Sequence, residues 1–215
     1  MVRVKICGLM EVEHAIKAGK AGADFIGMVF AESKRQVTPE RAAQLVKSVR
    51  DINPRPEAVG VFRNAPAEEV NRIARECRLD RVQLAGQETP EYCRDIMFPI
   101  IKVVHVSSNA KADSILAQVQ KWYEIMQGQK FFCLLDTVVD GRYGGTGVTF
   151  DWNIAKTAAA RFPIMVAGGL TPENVAELVR EVKPWGVDVA SGVETNGRKD
   201  PTKIEAFIRA VWNAE

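Results

Sequence analysis

The chain has 215 residues, and its 29 basic and 27 acidic side chains leave a formal charge of only +2. Hydrophobic residues make up 47% of the sequence, which is typical of a globular protein with a sizeable core. This near-neutral balance disfavours a nucleic-acid partner, because phosphate contacts need a dense basic surface. No apolar run approaches the roughly 18 residues that a membrane helix requires, so we expect no membrane partner either.

The cysteines and histidines are too few and too scattered for a zinc cluster or a disulfide framework. The four cysteines are Cys7, Cys77, Cys93 and Cys133. They form no CxxC pair, and two histidines cannot supply a histidine-rich metal site. Arg3 and Lys5 interrupt the first apolar run, which argues against a signal peptide. We therefore expect a reduced, cytoplasmic protein that binds no metal.

Short β-branched runs alternate with amphipathic helical patterns along the whole chain. The predicted strands are Val2–Ile6, Phe25–Phe30, Ala58–Phe62, Arg81–Leu84, Ile100–Val104, Phe131–Leu135, Ile164–Ala167 and Val187–Ala190. Several helices are predicted to begin where a capping side chain precedes a proline. These starts are Thr38 with Pro39, Thr89 with Pro90, Thr171 with Pro172, and Asp200 with Pro201.

Eight strand–helix units predict parallel strands joined by right-handed crossovers. The count favours a closed (β/α)8 barrel, an α/β fold, formed as a single domain by residues 1–215. The alternative is an open doubly wound sheet, which is disfavoured because no GxGxxG motif follows the first strand. In a closed barrel the active site lies at the carboxyl ends of the strands, and this rule selects the candidate residues.

Glycines at the ends of the last two strands indicate a phosphate site. Gly168 and Gly169 follow the seventh strand, and Ser191 and Gly192 follow the eighth. Phosphates in barrels commonly bind at these two loops, where glycine permits close backbone approach and free N–H groups donate. The alternative interpretation is that these glycines only form tight turns.

A third glycine run, Gly144 to Gly147, lies in a long loop between Asp136 and Asp151. A connection of this length is typical of a binding loop or a lid, although a merely flexible loop is the alternative. The GxxxxGK[ST] motif is absent, so a nucleoside triphosphate site is not expected.

Two side chains at strand ends on roughly opposite sides of the predicted mouth suit acid–base chemistry. Asp136 follows the sixth strand, where burial would raise its pKa and make it a general acid, unless it only forms a local cap or an ion pair with a neighbouring base. Cys7 ends the first strand and could act as a thiolate base or nucleophile, although most free cysteines are small buried hydrophobes. Arg35 could bind a carboxylate through two parallel hydrogen bonds, or be a solvated loop residue. Lys102 and His105 are expected to have structural or supporting roles.

The ordered set of these motifs resembles the phosphoribosylanthranilate isomerase family, whose members are (β/α)8 enzymes of tryptophan biosynthesis. The matching segments are residues 5–9, 33–40, 59–62, 82–84, 135–136, 144–147, 167–170, 172–175 and 186–194. The resemblance spans the chain and implies an Amadori rearrangement. In it, N-(5-phospho-β-D-ribosyl)anthranilate becomes 1-(2-carboxyphenylamino)-1-deoxy-D-ribulose 5-phosphate.

The resemblance also implies roles for the candidate residues. Asp136 would protonate the furanose ring oxygen as general acid, and Cys7 would remove the C2 proton as general base. Arg35 would bind the substrate carboxylate. The residues implied for the phosphate are Gly145, Gly169, Ser191 and Gly192. No cofactor is implied, because the reaction only moves protons and a double bond, and we expect a monomer or homodimer whose partner is a small phosphorylated substrate.

The sequence departs from the family pattern at two positions. Ala85 stands where the family usually has histidine after the fourth strand, so any positioning role of that imidazole is lost or taken over. Met10 stands where threonine is usual, which weakens a helix cap and could narrow the mouth.

Two other functions stay open on the sequence. One is a related sugar-phosphate barrel, either an epimerase or the histidine-pathway aminoaldose isomerase. The latter uses two aspartates, so Cys7 argues against it. The other is a catalytically silent phosphate-binding module, against which the presence of both Cys7 and Asp136 argues.

Overall fold

The computed structural model of the protein describes residues 1–52, 54–139, 142–143 and 151–215. Within these residues, eight parallel strands form a closed barrel surrounded by eight α-helices. The barrel strands are β1 (Arg3–Cys7), β2 (Phe25–Val29), β3 (Glu57–Phe62), β4 (Arg81–Leu84), β5 (Ile100–Ser107), β6 (Phe131–Val139), β7 (Ile164–Val166) and β8 (Gly186–Val189). The helices are α1 (Val12–Lys20), α2 (Pro39–Ser48), α3 (Ala67–Glu76), α4 (Pro90–Arg94), α5 (Ala112–Ile125), α6 (Trp152–Ala159), α7 (Val175–Val182) and α8 (Pro201–Trp212).

Each barrel strand pairs in parallel with the next barrel strand along the chain, and the short strand Arg142–Tyr143 also pairs back onto β6 in antiparallel fashion. Pairing of β1 with β8 and of β5 with β6 completes the cylinder. This confirms the closed barrel and excludes the open sheet. A second short hairpin, Glu194–Thr195 with Arg198–Lys199, follows β8 and a 3₁₀ turn.

Most of the predicted helix starts are confirmed by capping hydrogen bonds. The Thr38 hydroxyl accepts the Arg41 N–H, and the Asp200 carboxylate accepts the Thr202 N–H. The predicted start at Thr171 is wrong, because α7 begins at Val175. There the Asn174 side chain accepts the Thr171 N–H and donates to the Gly169 carbonyl, which forms a turn before the helix.

The alternation of side chains along each strand divides the core into two parts. One part fills the barrel itself and consists of Phe25, Val59, Ile101, Val103, Phe132, Leu134, Met165 and Ala167. The other, larger part lies between the strands and the helices. On β1 the same alternation directs Ile6 towards the helices, and therefore turns Lys5 and Cys7 inwards.

Two strands extend several residues beyond their predicted ends. β6 continues to Val139, so Asp136 lies within the strand rather than directly after it. β5 continues to Ser107, and His105 lies beside Asp136 in the parallel register. Both strands are longer because β-branched residues continue beyond the first polar residue. That residue ends the apolar run in the sequence, but the backbone stays extended.

Candidate active site

A cavity of about 410 Å³ opens at the carboxyl ends of the barrel strands, and all eight strands or their following loops contribute to its wall. Six of the seven predicted site residues line it. These are Cys7, Arg35, Asp136, Gly169, Ser191 and Gly192. The seventh, Gly145, lies outside the described residues together with the rest of its glycine run. Sequence positions more than 180 residues apart therefore meet in one concave site.

Asp136 has the electrostatics expected of a general acid. Removal from water raises the pKa of its carboxyl, the nearby Asp188 raises it further, and the result is about 7 rather than the ordinary 3.8. The Thr137 backbone and Lys5 act in the opposite direction. The carboxyl is thus poised to hold and release a proton near neutral pH, which confirms the expected direction of the pKa change.

Cys7 is less ionised in its environment than a catalytic thiolate needs to be. Burial raises the pKa of the thiol above its ordinary value, Lys5 and then Lys199 lower it, and Asp188 adds to the rise. In the free protein Cys7 is therefore a thiol. A positively charged reaction intermediate beside it would favour the thiolate when the base is needed.

The ion pair between Lys5 and Asp188 lies directly beside these two groups, and the sequence analysis missed its role. Lys5 Nζ donates to both carboxylate oxygens of Asp188, at 3.1 and 3.0 Å, and the lysine side chain is fully buried. The two residues are opposite each other in the register of β1 and β8. The alternation of side chains along a strand could have identified Lys5 as a site residue, because it lies on the same face of β1 as Cys7, two residues away.

Arg35 is held at the mouth by an acidic partner that the sequence analysis also missed. Its Nε and Nη2 donate to the two carboxylate oxygens of Glu194 at 2.6 and 2.9 Å, in a bidentate pair. Glu194 also accepts from Lys199 at 2.7 Å. An added Cβ on Gly8, whose φ is +73°, would lie 2.5 Å from Arg35 Cδ, so glycine there makes room for the arginine stem.

The glycine-rich side of the cavity is shaped by close backbone approach. Gly168 and Gly169 have φ values of +91° and +65°, a region that disfavours other residues. A Cβ on Gly192 would lie only 1.8 Å from the Leu170 carbonyl oxygen, so the loops after β7 and β8 touch there. Ser191 begins a 3₁₀ turn, whose first N–H groups lack acceptors within the turn and suit an anion.

The two departures from the family pattern have different structural consequences. Ala85 lines the cavity, and its carbonyl accepts the Nε2–H of His105 at 3.0 Å. The imidazole of β5 therefore lies next to the position where the family usually has its own. Met10 packs against the core and is absent from the described cavity wall, so the expectation that it narrows the mouth is not supported.

Lys102 and the three cysteines outside the cavity are buried in surroundings that suit a structural role. Lys102 is buried and donates to Glu88 at 2.6 Å and to the Gly86 carbonyl at 2.8 Å. The cysteines outside the cavity are buried and unoxidised; they are Cys77, Cys93 and Cys133. Burial raises the pKa of Cys77 and of Cys93 to about 11, which makes both inert at neutral pH.

A carboxyl that titrates near pH 7 and a thiol, placed in one cavity with glycine loops suited to an anion, are typical of a (β/α)8 enzyme that moves protons on a small anionic substrate. The model of the N-(5'-phosphoribosyl)anthranilate isomerase family matches residues 4–210. The chain belongs to this family. The expectation of an isomerase of tryptophan biosynthesis is thereby confirmed.

Relatives with that name match over nearly their full length. The isomerase of Dehalococcoides mccartyi is 49% identical over 215 residues, which cover 100% of this chain and 98% of the relative. The solved isomerase of Thermotoga maritima is 37% identical, with a TM-score of 0.86 and coverage of 99% of this chain and 100% of that one. Another solved isomerase, 35% identical with a TM-score of 0.83 and coverage of 99% and 100%, is in complex with reduced 1-(o-carboxyphenylamino)-1-deoxyribulose 5-phosphate.

Proposed function

We propose that the cavity at the barrel mouth carries out the Amadori rearrangement of N-(5-phospho-β-D-ribosyl)anthranilate, with Asp136 as general acid and Cys7 as general base. The observation that carries this assignment is a carboxyl whose pKa is about 7 in the same cavity as a thiol. Membership of the family supplies the reaction, and the solved relative in complex with a reduced reaction product supports the choice of substrate class.

The proposed steps balance in protons. Asp136 gives its proton to the furanose ring oxygen, the C1–O bond breaks, and the nitrogen lone pair forms the iminium. As the iminium forms, the Cys7 thiol gives its proton to solvent, and the resulting thiolate takes the C2 proton while the electrons of the C–H bond neutralise the iminium to give an enolamine. On tautomerisation the Cys7 thiol protonates C1, and the Asp136 carboxylate takes the proton of the C2 hydroxyl. Asp136 is thereby protonated again, and the Cys7 thiolate recovers its proton from solvent.

Substrate binding is proposed at the two ends of the same cavity. Arg35 would bind the anthranilate carboxylate through the part of its guanidinium that Glu194 does not engage. The phosphate would be held by backbone groups of Gly169, Ser191 and Gly192, with Gly145 from the long loop. The reaction needs no redox or group-carrying chemistry, so we propose that no cofactor takes part.

The proposal treats residues 1–215 as one domain that acts as a monomer or a homodimer in the cytoplasm. All the proposed site residues come from one chain, so either state is compatible with a complete site. A solved isomerase of Thermotoga maritima, 36% identical, is described as dimeric. Four free cysteines fit a reducing compartment. No described helix is long and apolar enough to cross a membrane.

The test is the decay of phosphoribosylanthranilate fluorescence in the presence of the purified chain, with the histidine-pathway aminoaldose phosphate as a parallel substrate. We expect turnover of the anthranilate compound only. Turnover of the aminoaldose alone would replace the proposal with the related isomerase, and turnover of neither would favour the silent binding module.

A further inference from the structure

The buried ion pair of Lys5 and Asp188 has no part in the proposed proton transfers, although it lies against both groups that make them. Lys5 is fully buried, and of the pair only Asp188 reaches the wall of the cavity. Removing two charges from water costs free energy, and an apolar pair of similar size generally stabilises a core at least as well. Stability of the barrel is therefore a poor explanation for a charged pair here.

We propose that this ion pair positions and polarises the acid and the base, with Lys5 favouring the thiolate of Cys7 and Asp188 keeping the proton on Asp136. The inference rests on the proposed function for its consequence in catalysis. Lys5 and Asp188 are positioning residues in this scheme, because each acts through a neighbour rather than on the reacting atoms.

The location of Lys5 beside the sulfur follows from the packing around Gly27. A Cβ added to Gly27 would lie 2.8 Å from Cys7 Sγ and 3.2 Å from Lys5 Nζ, so the thiol and the ammonium border the same small space. Lys5 and Cys7 leave β1 on the same face. The absence of a side chain at Gly27 thus allows the ammonium to lie beside the sulfur.

The ion pair as a whole shifts the pKa values of the two proton-transfer groups in opposite directions. At Cys7 the ammonium of Lys5 lowers the pKa more than the carboxylate of Asp188 raises it. At Asp136 the order is reversed, and Asp188 raises the pKa more than Lys5 lowers it. One dipolar pair therefore shifts the thiol towards the thiolate and the carboxyl towards the acid, which are the two forms that the proposed first steps consume.

Other charged groups around the pair do not change this assignment. Cys7 is also influenced by Lys199, from the hairpin after β8, and by Arg35, from the loop after β2. Glu194 pairs with both of these cations and reduces their effect on the sulfur. Among the charged neighbours of Cys7, Lys5 has the largest effect.

The test measures the thiolate of Cys7 directly, in a way that does not depend on the enzymatic reaction. Alkylation of Cys7 by iodoacetamide is followed by mass spectrometry of its peptide between pH 7 and 12 in the intact chain. Lys5→Met should move the midpoint of the pH profile upwards by about one pH unit. At pH 8 the rate should fall about threefold, since a more basic thiolate partly compensates by being more nucleophilic.

The matched control is Lys102→Met, which removes another buried lysine and leaves the Glu88 carboxylate without its ammonium partner. Both variants are expected to lose stability, but only Lys5→Met should change the alkylation profile of Cys7. If Lys5→Met does not fold, the double variant Lys5→Met with Asp188→Asn leaves no unpaired charge and should still raise the midpoint.

Enzyme kinetics then connect the pair to turnover. For Lys5→Met we expect kcat to fall at least tenfold with KM within about twofold, and the double variant should also show a lower pKa for the acidic group. An unchanged alkylation midpoint in Lys5→Met, or an equal change in Lys102→Met, would overturn the inference. Absence of turnover in the unmodified protein would instead refute the proposed function and leave the alkylation result standing.

Discussion

Replacement of Asp136 by asparagine should greatly slow catalysis and stabilise the fold at the same time. The proposed general acid is a carboxyl whose native pKa of about 7 is well above its ordinary 3.8. Because the folded state binds this proton more tightly than the unfolded state does, the carboxyl does not reduce stability below about pH 4. Between about pH 4 and 7 the unfolded carboxyl is ionised while the folded one still holds its proton. The free energy of unfolding therefore falls progressively across this range.

The magnitude follows from the pKa change. A rise from 3.8 to about 7 corresponds to about 4 kcal/mol of lost stability above pH 7, at roughly 1.4 kcal/mol per pKa unit. Asp136 is partly exposed to the open cavity, and screening by solvent there reduces this figure to about 2 kcal/mol. For a chain of this length the gain corresponds to an increase in Tm of about 4–8 °C.

The assay combines thermal unfolding at several pH values with the fluorescence decay of phosphoribosylanthranilate. For Asp136→Asn we expect kcat to fall by about 10² or more, and the Tm advantage over the unmodified protein to grow from pH 4 to 7 and then level off. The control is Asp80→Asn. Although burial alone would raise the pKa of that carboxyl, Arg55 and the Ala58 N–H hold it below its usual range, so this variant should lose stability at neutral pH. An Asp136→Asn protein no more stable at pH 8 than the parent would refute the reasoning.

Three further variants examine the other parts of the site. Cys7→Ser should lower kcat by about 10² or more with little change in KM, because the alkoxide of serine is a far less accessible base; near-parental kcat would remove Cys7 from the mechanism. Arg35→Ala should mainly raise KM for the substrate, and an unchanged KM would show that the carboxylate binds elsewhere. Gly192→Ala should weaken inhibition by inorganic phosphate at least tenfold, because the new methyl group would overlap the Leu170 carbonyl; unchanged inhibition would argue against a phosphate site between these loops.

Local sequence patterns were sufficient to predict the barrel. Each strand is a short apolar run, and at Thr38 and Asp200 the capping side chains make the hydrogen bonds that were expected. The prediction failed at Thr171, where the same threonine–proline pattern forms a turn. The reason is a tertiary contact, since Asn174 ties this turn to the Gly169 carbonyl, and no local rule contains that contact.

The candidate site was predictable to a smaller extent, because its electrostatics depends on residues distant in sequence. Cys7 and Asp136 were found from their places near strand ends, but Lys5 was assigned no role of its own in the site. Its partner Asp188 lies 183 residues further along the chain, and only the closure of the barrel brings the two into register. Glu194 was missed for the same reason, since it reaches Arg35 across a comparable distance in sequence.

The order of strands around the barrel explains how one small substrate could meet all these groups. Asp136 on β6 and Cys7 on β1 are separated by β7 and β8 rather than lying on fully opposite sides. Those two intervening strands end in the glycine loops proposed for the phosphate, and Arg35 follows β2 on the far side of Cys7. A phosphate bound between acid and base would hold the pentose against both. The aromatic carboxylate would then extend past the thiol towards Arg35, an arrangement that suits a substrate whose anthranilate on C1 and phosphate on C5 lie at opposite ends of the pentose.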